Sequence, residues 1–114
     1  MAKLETVARL MGHSIAWAEG ETFYSHRVNG EHKGWCESPM PYDTDANASR
    51  ELLAYVAKER RVIEFVTDLH RIIGDAVISD CGSNWAMLNA PPQQIYDAFC
   101  ATFTRELEQV EKQP

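Results

Sequence analysis

The spacing of apolar residues divides the chain into helical and strand segments. Apolar residues recur every three or four positions in four stretches, which is the period of one face of a helix. These stretches predict a helix within residues 1–12, a helical pair over 45–74 and a C-terminal helix over 91–111. Two helices that break near residues 59–61 and one long bent helix would both satisfy the middle pattern. A charged run lies between the two apolar stripes, and no proline or glycine decides between these alternatives. We favour two helices.

Short runs of β-branched and aromatic residues predict strands between the first two helical segments. Residues 14–18 and 22–28 are two such runs, and Glu19-Gly20-Glu21 between them resembles a hairpin turn. A short third strand around Trp35 and Cys36 would complete an antiparallel meander within residues 13–38.

Glycine-containing pairs give further turn signals. Asn29-Gly30 and Lys33-Gly34 each predict a turn within the meander. Two more short strands, Ala76 to Ser79 and Asn84 to Asn89, are predicted around a turn within residues 76–89. The order of these elements predicts one α+β domain over residues 1–114, in which a small antiparallel sheet packs with about four helices.

The segment over residues 39–48 predicts an extended chain that enters a helix. Its two prolines fix the backbone near extended values, so the helix can begin only after Pro41. Asp43 and Asp45 then offer carboxylate oxygens to the unpaired N–H groups of the first turn. A divalent cation held with Glu37 is an alternative, but the segment lacks the alternating ligands and glycine of a calcium loop. We interpret these aspartates as helix-start residues.

Composition and charge limit the classes of partner. The chain has 114 residues, of which 45% are apolar and 25% are charged, as in ordinary globular domains. Its net charge of −6 argues against direct binding to nucleic acid, which needs clustered lysine and arginine. No apolar run approaches the roughly 20 residues that cross a bilayer, and the first residues lack a charged-then-apolar pattern, so we expect no secretory leader. We therefore expect a cytoplasmic protein that does not bind membranes.

The cysteines and histidines follow no recognised pattern of metal or catalytic sites. Cys36, Cys81 and Cys100 are odd in number and lack CxxC spacing, so we expect reduced thiols. His26, His32 and Cys36 are suitable ligand types for zinc, but their spacing is not that of zinc sites. No phosphate-binding glycine loop, nucleophile elbow or HExxH motif occurs. We expect no metal and no cofactor, assign no catalytic residue, and lean against an enzyme.

An aromatic cluster falls within a 26-residue window of the predicted meander. Its members are Trp17, Phe23, Tyr24, Trp35 and Tyr42. Large aromatic residues pack in the core more often than at the surface, but strand alternation would turn part of this set outward, where they anchor partners. The predicted partner-binding residues are Tyr24, Trp35, Tyr42, Asp43, Asp45, Arg60 and Arg61. Exposed aromatic residues would also suit a homodimer.

Two segments resemble a family of small phage- and prophage-encoded proteins. The segment Pro41-Tyr42-Asp43-Thr44-Asp45-Ala46-Asn47-Ala48 is similar to the family's extended entry into a helix. The segment Asn89-Ala90-Pro91-Pro92-Gln93-Gln94-Ile95-Tyr96-Asp97-Ala98-Phe99 is similar to its small-polar turn and alanine-rich final helix. The family carries an α/β (ABA) sandwich domain of unknown function. Pro91, Pro92 and Tyr96 depart from its pattern.

The resemblance implies a phage-encoded protein that acts in the cytoplasm of the host cell. The resemblance implies no reaction and no catalytic residue. The small size, acidic balance and aromatic cluster then favour a non-enzymatic inhibitor that binds a host protein of a bacterial defence system, as anti-CRISPR proteins do. One alternative is a small-molecule or nucleotide-binding sponge that uses Arg60 and Arg61. Another is a structural or replication accessory protein of the phage.

Overall fold

The computed structural model describes residues 3–28, 31–74 and 90–113. Within these ranges, three antiparallel strands and five helices form a single α+β domain, which confirms the predicted fold class. The predicted turn at Asn29-Gly30 and the predicted strands within residues 76–89 lie outside the described residues. The elements in chain order are α1 (Leu4–Leu10), β1 (Ile15–Ala18), β2 (Glu21–Val28), β3 (Glu31–Cys36), α2 (Ala46–Lys58), α3 (Val62–Ile73), α4 (Pro92–Thr102) and α5 (Thr104–Lys112).

The three strands form a meander in which β2 is central. Ala18 pairs with Glu21 across the first hairpin, so Glu19 and Gly20 form a two-residue turn. Both turn residues have positive φ, 51° and 82°, which is the geometry that matches the twist of a hairpin. The hairpin predicted at this position is therefore confirmed.

The pairing of β2 with β3 contains an irregularity that replaces a predicted turn. His26 pairs with Gly34 and Arg27 pairs with His32, so Lys33 has no partner in the register. Gly34 has a φ of 150°, which suits glycine. The turn predicted at Lys33-Gly34 is wrong, because these residues form a β-bulge inside a continuous strand.

The apolar core lies between the helices. Helix α4 contacts both α2 and α3, while α5 contacts α1 and β2 contacts α2. Leu52, Phe99 and Phe103 are completely buried, and Tyr55 packs its ring against both phenylalanines at centroid distances of 5.8 and 5.3 Å. Cys100, which follows Phe99 in the chain, is also buried. Aromatic packing between α2 and α4 thus forms the centre of the helical layer.

Helices α2 and α3 are separate, which is the alternative that we favour from the sequence. Arg60 has a φ of 57°, which ends α2 in a left-handed residue. The Arg61 backbone N–H donates to the Val56 carbonyl (3.0 Å) and the Arg60 N–H donates to that of Ala57 (3.1 Å). These bonds satisfy carbonyls at the end of the helix and redirect the chain into α3.

The prediction of one continuous C-terminal helix over residues 91–111 is wrong. It divides at Phe103, which has φ −105° and ψ 29°, into α4 and α5. The Thr104 hydroxyl donates to the carbonyls of Cys100 (3.0 Å) and Ala101 (2.9 Å), which competes with regular helical bonding. The Arg61 guanidinium also donates to the Thr102 carbonyl (2.8 Å). Apolar periodicity continues through the break, so periodicity alone could not reveal it.

Helix α2 begins with the cap predicted from the sequence. Asp45 is extended, and its Oδ1 accepts a hydrogen bond from the Ala48 backbone N–H at 3.0 Å. The Pro41 carbonyl accepts from the N–H groups of Thr44 and Asp45, which forms the turn before the helix. Asp43 lies within that turn and is half-buried. Of the two aspartates, Asp45 supplies the cap.

We expect Asp45→Ala to lower the free energy of unfolding by about 1 kcal/mol, because it leaves an N–H of the first turn without its acceptor. Urea denaturation followed by circular dichroism measures this change. Asp43→Ala is the matched control and should cost clearly less, since Asp43 is not the N-cap. An equal loss in both variants would contradict the assignment of the cap to Asp45.

Candidate functional site

The outer strands of the sheet expose two tryptophans. Trp17 on β1 is 74% exposed and Trp35 on β3 is 48% exposed. Tryptophan is a residue that proteins usually bury to a large extent, and it is enriched in the energetically dominant positions of interfaces. These side chains make the sheet the candidate functional site.

The sheet register places the two tryptophans on opposite faces. Trp17 lies opposite Thr22, and Thr22 shares a face with Tyr24, the partner of Cys36. Trp35 lies opposite Ser25 and therefore on the other face. The aromatic cluster of the sequence is thus divided by the sheet, and it does not form one continuous patch.

The surroundings of Trp35 include a serine and histidine in contact. His32 Nδ1 lies 2.7 Å from the Ser25 Oγ, and the His32 ring lies 5.3 Å from that of Trp35. This pairing superficially resembles a nucleophile and its base. Ser25 is only 1% exposed, however, so a substrate cannot reach its hydroxyl in this conformation. The contact orients His32 and Trp35 on the strand.

Among the described strands, β1 and β3 are the outer ones, and both are poorly suited to pairing with another strand. Strand β1 has only four residues, and β3 carries the bulge at Lys33-Gly34. Short edge strands, lysines and bulges all oppose edge-to-edge association. Side chains are therefore the more suitable contact groups of these outer strands.

Tyr42, one of the predicted contact residues, lies in the core. Its side chain is 0% exposed, and its hydroxyl lies 2.8 Å from the His13 Nδ1. Burial, followed by the charge of Glu51, raises the pKa of Tyr42 well above its usual value, so the hydroxyl stays protonated. Tyr42 is a core residue because the proline-led segment turns its ring inward.

Arg61 is likewise occupied within the protein. Its Nε donates to Glu64 at 2.6 Å, its Nη1 donates to Glu106 at 3.0 Å, and its guanidinium carbon lies 4.8 Å from the centre of the Phe103 ring. With the bond to the Thr102 carbonyl, these contacts join α3 to α4 and α5. Arg60, by contrast, is exposed.

The other predicted contact residues differ in their accessibility. Tyr24 is half-buried, and burial, together with the charge of Glu5 and a hydrogen bond from the phenol to it, raises the pKa of Tyr24. Asp45 is used as the cap of α2, and Asp43 is half-buried. Trp35 and Arg60 lie on different elements, β3 and the junction of α2 with α3. The predicted set is therefore not one assembled site.

Two exposed apolar features were missing from the predicted contact residues. Trp17 belongs to the aromatic cluster but not to the predicted contact residues, although it is more exposed than Trp35. Helix α3 also exposes Val62, Ile63 and Val66, with Ile63 at 83%. Helical periodicity could not have located this second surface, because it places Val62 and Val66 in the apolar stripe that also holds the buried residues of α3.

The histidines and Cys36 of the meander are not gathered around a common centre. The register puts His26 and Cys36 on one face and His32 on the other. His26 Nε2 contacts the Ser38 carbonyl at 2.7 Å, while His32 contacts Ser25. Across residues 3–28, 31–74 and 90–113, no three His, Cys, Asp or Glu side chains form a group that could hold a metal ion.

Comparison with known proteins leaves the family resemblance untested. No protein-family model, curated protein or solved structure matches the chain. The resemblance to phage proteins therefore stays a prediction. In the described part of the chain, every helix is too short or too polar to span a bilayer.

His13 makes the stability of the fold depend on pH. Burial first, and then the positive charge of Arg27, hold the pKa of His13 below its usual 6.5, with Glu51 opposing and His26 reinforcing the shift. The unfolded chain therefore binds a proton below about pH 6.5 that the folded chain does not bind. We expect this contribution to lower the free energy of unfolding as pH falls from about 6.5 towards the folded-state value.

Urea denaturation at several pH values between about 7.5 and 5 measures this dependence. His13→Leu should make the free energy of unfolding less dependent on pH over this range, whatever its effect on stability at pH 7.5. The matched control is His70→Leu, which replaces an exposed histidine on α3 and should retain the wild-type slope. A wild-type slope in His13→Leu would contradict the role of His13.

Proposed function

We propose that the chain is a non-enzymatic binding protein that covers a functional surface of a host protein. In this proposal it is encoded by a phage, acts in the host cytoplasm and inhibits a bacterial defence system in the manner of an anti-CRISPR protein. The observation that carries the binding role is the exposure of Trp17 and Trp35 on the outer strands. The resemblance to phage proteins supplies the biological setting.

The positions of the tryptophans favour a particular mode of binding. Because they lie on opposite faces and on opposite edge strands, a flat partner surface could cover only one of them. A partner that receives the sheet in a cleft would contact both. Because β1 is short and β3 carries a bulge, contacts by side chains are favoured over the addition of a partner strand. We therefore propose that the sheet enters a groove of the partner.

The charge of the chain favours a partner with a basic surface. The net charge of −6 would attract such a surface over long range and increase the rate of association. This attraction depends on ionic strength, whereas burial of tryptophan depends on it much less. Charge would thus assist encounter, and the tryptophans would hold the complex together.

The structure gives less support to a nucleotide sponge built on Arg60 and Arg61. Arg61 already contacts two carboxylates and a backbone carbonyl, so binding a phosphate there would require it to leave them. A structural or replication role in the phage stays an alternative. The position of the gene among its neighbours would distinguish this role from inhibition of a defence system.

Affinity capture from lysates of bacteria that carry defence systems tests the proposed function. We expect the wild-type protein to retain a defence component, and we expect Trp17→Ala or Trp35→Ala to weaken that complex about 30-fold, the effect of removing a dominant interface residue. The double variant should not retain the defence component. Phages that carry the double variant should form fewer plaques on the defended host than phages that carry the wild type.

The matched control is Leu53→Ala, which truncates an exposed apolar residue on α2. It should bind like the wild type. Failure to recover any defence component at any salt concentration would contradict the defence role. Retention by the double variant as strong as by the wild type would contradict the role of the tryptophans.

A further inference from the structure

A polar cavity of about 320 Å³ lies where α2 meets β2 and the turn after α1. It is near the lower end of the size range of small-molecule sites. His13 comes from the turn, Arg27 comes from β2, and α2 supplies the remaining polar groups. The polar side chains that line it are His13, Arg27, Glu51, Tyr55 and Lys58.

The charge of this lining differs from the charge of the whole chain. Among the described residues of the lining, Arg27 and Lys58 are cations and Glu51 is the only carboxylate, so these residues carry a formal charge of +1 in a chain of −6. A larger cavity of about 460 Å³ along α4 and α5 is instead lined by Asp97, Glu108 and Glu111. Positive charge gathered in a concave site favours anionic ligands.

The contact of His13 with Tyr42 defines what the imidazole can offer to this cavity. The Tyr42 hydroxyl lies 2.8 Å from Nδ1, so that nitrogen is already engaged. When the hydroxyl donates to Nδ1, the neutral ring carries its proton on Nε2. His13 then has one N–H group left for another acceptor.

We propose that this cavity binds a small molecule that carries a phosphate or carboxylate group. Arg27 and Lys58 neutralise the oxyanion, and the Nε2–H of His13 donates a hydrogen bond to it. Glu51 accepts a hydrogen bond from a hydroxyl or amino group on the same molecule. The site is independent of the tryptophans and of the proposed protein partner.

Nuclear magnetic resonance titration of the full chain with inorganic phosphate and, separately, with acetate tests this proposal. We expect saturable shifts in the backbone amides of residues 11–13 and 54–58. Lys58→Gln should weaken the binding about tenfold, because it removes one of the two cations. Lys58 is exposed, so the substitution should leave the fold intact, which the remaining amide signals report.

Lys33→Gln is the matched control, because it removes an exposed lysine from β3 that does not line the cavity. It should bind phosphate like the wild type, as should the Trp17→Ala, Trp35→Ala double variant. Saturation by phosphate alone assigns a phosphate ligand, and saturation by acetate alone assigns a carboxylate. Absence of saturable shifts up to about 20 mM with either anion, or equal weakening by both lysine variants, would overturn the proposal.

Discussion

The buried hydrogen bond between Tyr42 and His13 is the contact on which the joining of sheet and helices depends. It connects residues 29 positions apart, at the turn after α1 and at the entry to α2. The neighbouring Met40 sulfur accepts from the Arg27 backbone N–H at 3.3 Å, which ties the same segment to β2. The segment that holds Met40 and Tyr42 thus contacts the turn after α1, the central strand β2 and the start of α2. It also positions the wall of the polar cavity.

Arg61 has the corresponding role within the helical layer. Its side chain reaches Glu106 and the Thr102 carbonyl, and Asp68 of α3 accepts from the Thr102 hydroxyl at 2.7 Å. These contacts hold α3 against the point where α4 ends and α5 begins. Tyr42 and Arg61 therefore stabilise contacts between elements of the fold, although their side chains are of types that suit partner binding. The exposed tryptophans of β1 and β3 take no part in these contacts and are accessible at the surface.

The sequence predicted the features that local pattern determines. Apolar spacing located the helices, proline and aspartate located the start of α2, and Glu19-Gly20-Glu21 located the hairpin. Tertiary contacts determine the features that were missed. The end of α4 at Phe103 involves an arginine more than 40 residues earlier, at position 61. The opposite orientations of Trp17 and Trp35 follow from strand register, and the burial of Tyr42 follows from its contact with His13.

A double-mutant cycle between Tyr42 and His13 tests most directly whether this contact joins the two parts of the fold. The free energy of unfolding would be measured at pH 7.5 for the wild type, Tyr42→Phe, His13→Leu and the double variant. We expect each variant to have a lower free energy of unfolding than the wild type. The sum of the losses in the two single variants should exceed the loss in the double variant by about 1 kcal/mol, as for a buried hydrogen bond. Additive losses would contradict the account, because they would show that the two side chains stabilise the fold independently.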